Sequence, residues 1–279
     1  MRRAALGLAL MVAAAASQAA DWSNTSVAYR TGSRFAEPFN SKDIRKHILQ
    51  LNHASGYAYG SNFFNLDLLQ SDKNDPSAKG ATSGALEAYL VYRHTVEWGK
   101  ATGRALRIGP LRDAAFTAGF DLNTRSDAGY NSKKRMLVAG PTFLFEVPGM
   151  LNVGLYGLWE SNAPYSGFTQ VSTPRYRYDT HPMLGAAWAI PLGTTGLSFE
   201  GYANFIGAKG KNEFGRATKP ETNIDVQLMA DLSPLVDARP KRFRAGVAYQ
   251  YWRNKFGNDS GTIPGATART PMLKAQYQF

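Results

Sequence analysis

Along most of the chain, apolar and polar residues alternate with a period of two. From Asp113 to Asn123 the even positions read Ala114, Phe116, Ala118, Phe120 and Leu122. The odd positions read Asp113, Ala115, Thr117, Gly119, Asp121 and Asn123. Successive strand side chains point to opposite faces, so this segment predicts a strand with one oily and one polar face. The pattern returns where Ile224, Val226, Leu228 and Ala230 oppose Asn223, Asp225, Gln227 and Asp231. It returns again where Leu151, Val153, Leu155 and Trp159 oppose Asn152, Tyr156 and Glu160, and where Leu273, Ala275, Tyr277 and Phe279 oppose Lys274, Gln276 and Gln278.

Twelve such segments can be counted, at 22–31, 47–56, 62–71, 85–97, 112–124, 134–147, 150–161, 177–190, 196–207, 222–233, 241–253 and 269–279. Short breaks (Gly56–Ser61, Pro148–Gly149, Pro191–Thr195, Ser233–Pro240) take turns with long polar ones at 32–46, 72–84, 125–133, 162–176, 208–221 and 254–268. Short turns at one end and long loops at the other predict an up-and-down sheet with an even strand number. Trp98 to Leu111 breaks the rule and predicts a small excursion from the short-turn end.

A water-soluble barrel hides its oily face; an outer-membrane barrel turns it to lipid. The aromatics decide between them. Phe145, Trp159, Tyr178, Trp188, Phe205, Tyr251 and Phe279 fall near strand ends on the apolar faces, with Leu, Val, Phe and Ala at mid-strand. That is the arrangement of interfacial girdles around a lipid band. In lipid an open sheet edge would leave N–H and C=O groups unpaired, so the sheet must close. The predicted fold is therefore all-β: a closed antiparallel up-and-down transmembrane β-barrel of about 12 strands. A terminal strand ending in Phe279, with aromatics at alternate positions, fits the C-terminal signal of such barrels.

The first residues read as an address. Arg2 and Arg3 precede an apolar run from Ala4 to Ala16, and Ser17 and Ala19 suit a cut after Ala19, or alternatively after Ala20. This predicts a secretory signal peptide over 1–19 and a single barrel domain over 20–279. The 279 residues contain no Cys, which removes disulfides, thiol catalysis and iron–sulfur ligation. Export without cysteine points to a Gram-negative envelope. The formal charge of +11 falls only to about +9 without Arg2 and Arg3, leaving 30 basic against 21 acidic residues. The basic residues are spread over many segments, so anionic lipid headgroups or solutes are the expected partners and nucleic acid is not.

Several stretches resemble Tsx-like nucleoside-specific channel-forming proteins. They are Trp22-Ser23 with Tyr29-Arg30-Thr31-Gly32, Phe35 and Glu37-Pro38-Phe39; His53-Ala54-Ser55-Gly56-Tyr57; and Tyr59-Gly60-Ser61-Asn62-Phe63-Phe64-Asn65-Leu66-Asp67-Leu68-Leu69. Tyr92-Arg93-His94, Ala118-Gly119-Phe120-Asp121-Leu122-Asn123 and Tyr251-Trp252-Arg253-Asn254-Lys255-Phe256-Gly257 continue the likeness. The resemblance implies a twelve-stranded outer-membrane barrel. It implies either nucleoside passage through a narrow lumen or, in a less characterised branch, an orphan porin or surface receptor for phage.

Twelve strands leave a narrow lumen, between the filled eight-stranded barrels and the open sixteen-stranded porins. A pore favouring nucleosides needs aromatic faces for the base and hydrogen-bonding groups for the ribose. Candidate lumen aromatics are Phe63, Tyr89, Tyr156, Tyr202 and Trp252; candidate polar partners are Asn65, Asp67, Glu87, Arg93, Asp121, Asn204 and Gln250. Glu87, Arg93, Asp121 and Arg244 are also expected to pair with one another, because a charge in a narrow lumen wants a partner. The long-loop basic clusters, Lys42/Arg45/Lys46, Lys133/Lys134/Arg135 and Lys209/Lys211/Arg216/Lys219, are expected to meet lipopolysaccharide phosphates.

An enzyme reading finds little support. The histidines are His47, His53, His94 and His181, with no HExxH, no GxSxG and no metal-ligand spacing. His181 near Asp179 is the sole dyad candidate. The expectation is a passive channel for small polar solutes, with no catalytic residue, metal or cofactor. The alternative is a plugged structural or receptor barrel.

Overall fold

The computed structural model describes residues 20–75, 83–236 and 239–279. The predicted signal peptide over 1–19 lies outside them. Twelve long antiparallel strands form the molecule: β1 (Trp22–Phe35), β2 (Ile44–Tyr57), β3 (Gly60–Ser71), β4 (Leu86–Glu97), β5 (Leu111–Ser126), β6 (Arg135–Phe145), β7 (Met150–Asn162), β8 (His181–Pro191), β9 (Leu197–Ile206), β10 (Glu221–Asp231), β11 (Phe243–Arg253) and β12 (Thr267–Gln278). Each pairs with its sequence neighbour, and β12 returns to β1 with Ser26 opposite Gln278 and Arg30 opposite Lys274. The sheet has no free edge, which is the condition for a β-structure in lipid.

Pleat and register assign every strand residue to one of two faces. Cross-strand partners share a face, so the lumen row can be followed round the wall: Gln50 opposite Asp67, Asp67 opposite Tyr89, Tyr89 opposite Asn123. The outer face is apolar along the strands: Leu49, Phe116, Leu155, Val247 and Leu273 are all exposed there. No helix among the described residues is long and apolar enough to cross a membrane.

The excursion after β4 is a five-residue helix, α1 (Trp98–Thr102), ended by Gly103 at φ 76°. Asp113 holds it: its carboxylate accepts from Gly99 N at 2.8 Å and from Leu106 N at 3.0 Å. At the long-loop end Tyr130–Asn131, Tyr165–Ser166 and Val171–Ser172 add a small three-stranded sheet.

Two boundaries differ from the sequence pattern. The first long loop, expected over 32–46, is only 36–43. β1 runs on to Phe35 through a bulge after Gly32, and β2 starts at Ile44. Phe35, Ile44 and Lys46 are all buried inside the barrel, so inward burial extends both strands through residues that read as loop. The segment expected at 177–190 is split. Tyr176–Arg177 pairs separately with β7, and β8 proper begins at His181.

Candidate functional site

All twelve residues singled out from the sequence fall on the lumen face. Asp67 accepts from Gln50 Nε2 at 2.8 Å and from Asn65 Nδ2 at 3.0 Å. Asp121 gathers Tyr89, whose hydroxyl donates at 2.8 Å, and Arg93, at 2.6 Å. Asn204 and Gln250 both adjoin Asn223: Asn204 by register, Gln250 by a 3.4 Å hydrogen bond. Tyr202 lies opposite Asp225. Tyr156 meets Thr142 at 3.0 Å, ending a chain of hydroxyls through Thr117 and Thr95. Trp252 donates to Glu221 at 3.3 Å, and Phe63 stands half-exposed beside Arg93. The five aromatics sit on five different strands, β3, β4, β7, β9 and β11, so they are distributed along the lumen wall rather than gathered into one stack.

Of the four charges expected to pair with one another, Arg93 and Asp121 do so, while Arg244 and Glu87 take other partners. Arg93 holds Asp121 at 2.6 Å, and Arg244 contacts Glu200. Glu87 accepts from Asn123 at 2.6 Å and lies 3.8 Å from Lys46. Each of these charges thus has a partner, Glu87 by sharing Lys46 with Glu37, as a charge held in a narrow lumen requires.

The strongest crossings involve residues the sequence pattern did not select. Arg30 on β1 reaches Asp225 on β10 with 2.7 and 3.0 Å bonds, and both side chains are almost fully buried. Glu37, in the first long loop, collects Lys46 at 2.7 Å, Lys255 at 3.0 Å and Arg125 at 3.3 Å. Burial alone would raise the Glu37 pKa; Lys255, Lys46 and Arg125 outweigh it and hold the carboxyl well below the usual carboxylate range. Across the mouth Lys209 joins Glu160 at 3.1 Å to Glu221 at 3.3 Å, over the Tyr178 ring at 4.5 Å. Burial lowers the Lys209 pKa, but Glu160 and Glu221 together carry it above the ordinary lysine value.

These positions correct three expectations. Lys46 and Lys209 are buried crossbars of the lumen, and Lys134 lies 3.8 Å from Glu160, so none of the three is a surface contact for lipopolysaccharide. Tyr178 faces inward beneath Lys209 instead of joining the outer girdle; Trp159 and Phe205 are outward and exposed as expected. His181 bonds the backbone carbonyl of Asp179 through Nδ1 at 2.8 Å, not its carboxylate, so the dyad does not form.

The lumen face is also not polar throughout. Met136, Val138, Leu158 and Met183 form one buried apolar cluster; Phe35, Ile44, Ile48, Ala248 and Met272 form another. A signal for them is present in the sequence. β6 is apolar on both faces, with Met136, Val138 and Leu144 alternating with Leu137, Ala139 and Phe143, which is how a strand buried on both sides reads. Close packing shows in the glycines as well: a Cβ at Gly140 would strike the Leu155 carbonyl of the next strand.

The remaining histidines serve the outer face. His53 meets the Thr25 hydroxyl at 2.8 Å, His47 meets Tyr29, and His94 stacks on Tyr57 with ring centroids 5.1 Å apart. Among the described residues no group of three His, Cys, Asp or Glu could hold a metal ion.

A closed antiparallel barrel of twelve strands, oily outside and charge-laced within, has the fold of the outer-membrane β-barrels. The crystal structure of an outer-membrane channel from Pseudomonas putida matches it at TM-score 0.50 and 15% identity, over 92% of this chain and 95% of that one. The translocator domain of the autotransporter NalP from Neisseria meningitidis aligns with TM-score 0.46 and 12% identity, over 100% of this chain and 96% of that one. The neighbours include channels and translocator barrels. No protein-family model and no curated protein matches the chain, so its likeness to the Tsx-like channels rests on the motifs alone.

Proposed function

We propose that the protein is a passive channel of the Gram-negative outer membrane for small polar solutes, with nucleosides as its preferred class. One observation carries this reading: the lumen row of a closed barrel alternates aromatic rings with amides and carboxylates on neighbouring strands. Tyr202 beside Asp225, Tyr89 beside Asp121 and Trp252 beside Glu221 each join a flat face to a hydrogen-bonding group. A nucleoside offers the complementary pair, a base that stacks and a ribose that bonds. Several weak sites in series permit passage, where a single tight one would hold the solute.

A second reading is favoured by the crossbars. The Arg30–Asp225 pair and the Glu37 and Lys209 clusters narrow the lumen, which suits a plugged structural or receptor barrel. Single-channel recording in planar bilayers separates the two. The channel reading expects small unitary steps that adenosine blocks and glucose does not. Absence of steps supports the plugged barrel, and equal block by glucose rejects nucleoside preference.

A further inference from the structure

We propose that the outer wall around β7 and β8 carries a binding site for a phosphorylated, multiply acylated lipid of the lipid A class. The cationic half lies at the long-loop end. Ser161 on β7 faces outward, and register sets Arg135 on one side of it and Arg177 on the other. Directly opposed residues of antiparallel strands hold their Cβ atoms about 5 Å apart. Arg175 is drawn to the same point, donating to the Ser161 hydroxyl at 3.0 Å and to the Lys133 carbonyl at 3.0 Å.

All three arginines are exposed, and none of them is in an ion pair among the described residues. Partial burial chiefly lowers the Arg175 pKa, and the like charge of nearby Arg135 adds to the lowering. The lumen is built the opposite way: each of its cation clusters encloses a carboxylate. Guanidiniums gathered with no acid between them repel until an anion is shared, and their planar forks suit phosphate oxygens.

The apolar half begins just below. Leu155, Gly157, Pro182, Leu184, Phe205 and Gly207, on the outward face, are among the residues lining an open depression of about 800 Å³ in this part of the wall. The glycines and proline make its floor, and the exposed Leu155, Leu184 and Phe205 make its banks. At ~3.4 Å per residue, Gly157 lies about 14 Å down β7 from Ser161. Trp159 stands between them, half-exposed, at the level where an amphipathic ring meets both headgroup and acyl chain. A free phosphate would use only the arginines. A lipid with phosphates and several chains on one headgroup fills both halves, and the spread of three guanidiniums across neighbouring strands suits more than one phosphate.

Native mass spectrometry of the full barrel in detergent tests this, with bis-phosphorylated lipid A, dephosphorylated lipid A and phosphatidylglycerol as probes. Wild-type protein is expected to retain bis-phosphorylated lipid A preferentially. The combined Arg135→Ala, Arg175→Ala and Arg177→Ala variant is expected to weaken retention roughly 100-fold, from ~5-fold per cationic residue at an anionic lipid surface. Equal retention of the dephosphorylated lipid or of phosphatidylglycerol by wild-type protein overturns the proposal, whether or not the variant folds. So does unchanged retention in a folded triple variant, or an equal loss in a Lys211→Ala/Arg216→Ala variant, whose charges lie on another loop.

Discussion

The Arg30–Asp225 crossing gives the sharpest test of the lumen. Its closest N–O separation is 2.7 Å, and the side chains are 8% and 3% exposed. At an effective dielectric of ~20 the attraction is about 6 kcal/mol. Desolvation of the two ions, several kcal/mol each, offsets most of that. The pair is thus nearly neutral as a unit but costly to break, since one remaining buried charge has no partner. Asp225→Leu or Arg30→Met alone is expected to lower barrel stability by about 3–5 kcal/mol. The paired replacement Arg30→Met with Asp225→Leu should return to within about 1 kcal/mol of the starting protein, because both charges leave together. Urea unfolding in vesicles, followed by the gel-mobility difference between folded and unfolded barrels, measures all four members of the cycle. If either single variant stays within about 0.5 kcal/mol of the parent, or if the double variant loses the sum of the singles, the crossbar does not exist as described.

Two other perturbations probe different parts of the barrel. Glu37 is held below its ordinary value of 4.5, so its stabilising contribution is fully present above pH 4.5 and is lost as pH falls through the lower folded value. Acid is therefore expected to loosen the first long loop, seen as faster proteolysis there below pH 4.5, and Glu37→Gln should flatten that dependence; an unchanged profile in the variant refutes the assignment. Leu273 is mid-strand, 64% exposed and on the outer face. Leu273→Arg should cost about 2–4 kcal/mol if that face meets the bilayer midplane, whereas a water-facing site would tolerate it; a neutral result in vesicle unfolding would place the face in water.

Much of the wall was legible because strand chemistry is local. A period of two in Asp113–Asn123 and in Asn223–Asp231 states which residues share a face, and the alternation of short and long breaks states how strands connect. Once the oily face is assigned outward, Phe63, Asp67, Tyr89, Tyr202 and Trp252 must all face the lumen, and they do. Closure followed from the same pattern, because lipid leaves no partner for an unpaired edge.

What crosses the lumen could not be read this way. Arg30 and Asp225 lie 195 residues apart, and Lys255 reaches Glu37 across 218. Lys46 and Lys209 look like ordinary loop charge in sequence, and only the closed wall brings Lys46 near Glu87 on β4 and Lys209 to Glu160 on β7. Periodicity determines the face a residue occupies. Which residues meet across the interior depends on stagger and barrel radius, properties of the whole closed sheet that no short stretch of sequence contains.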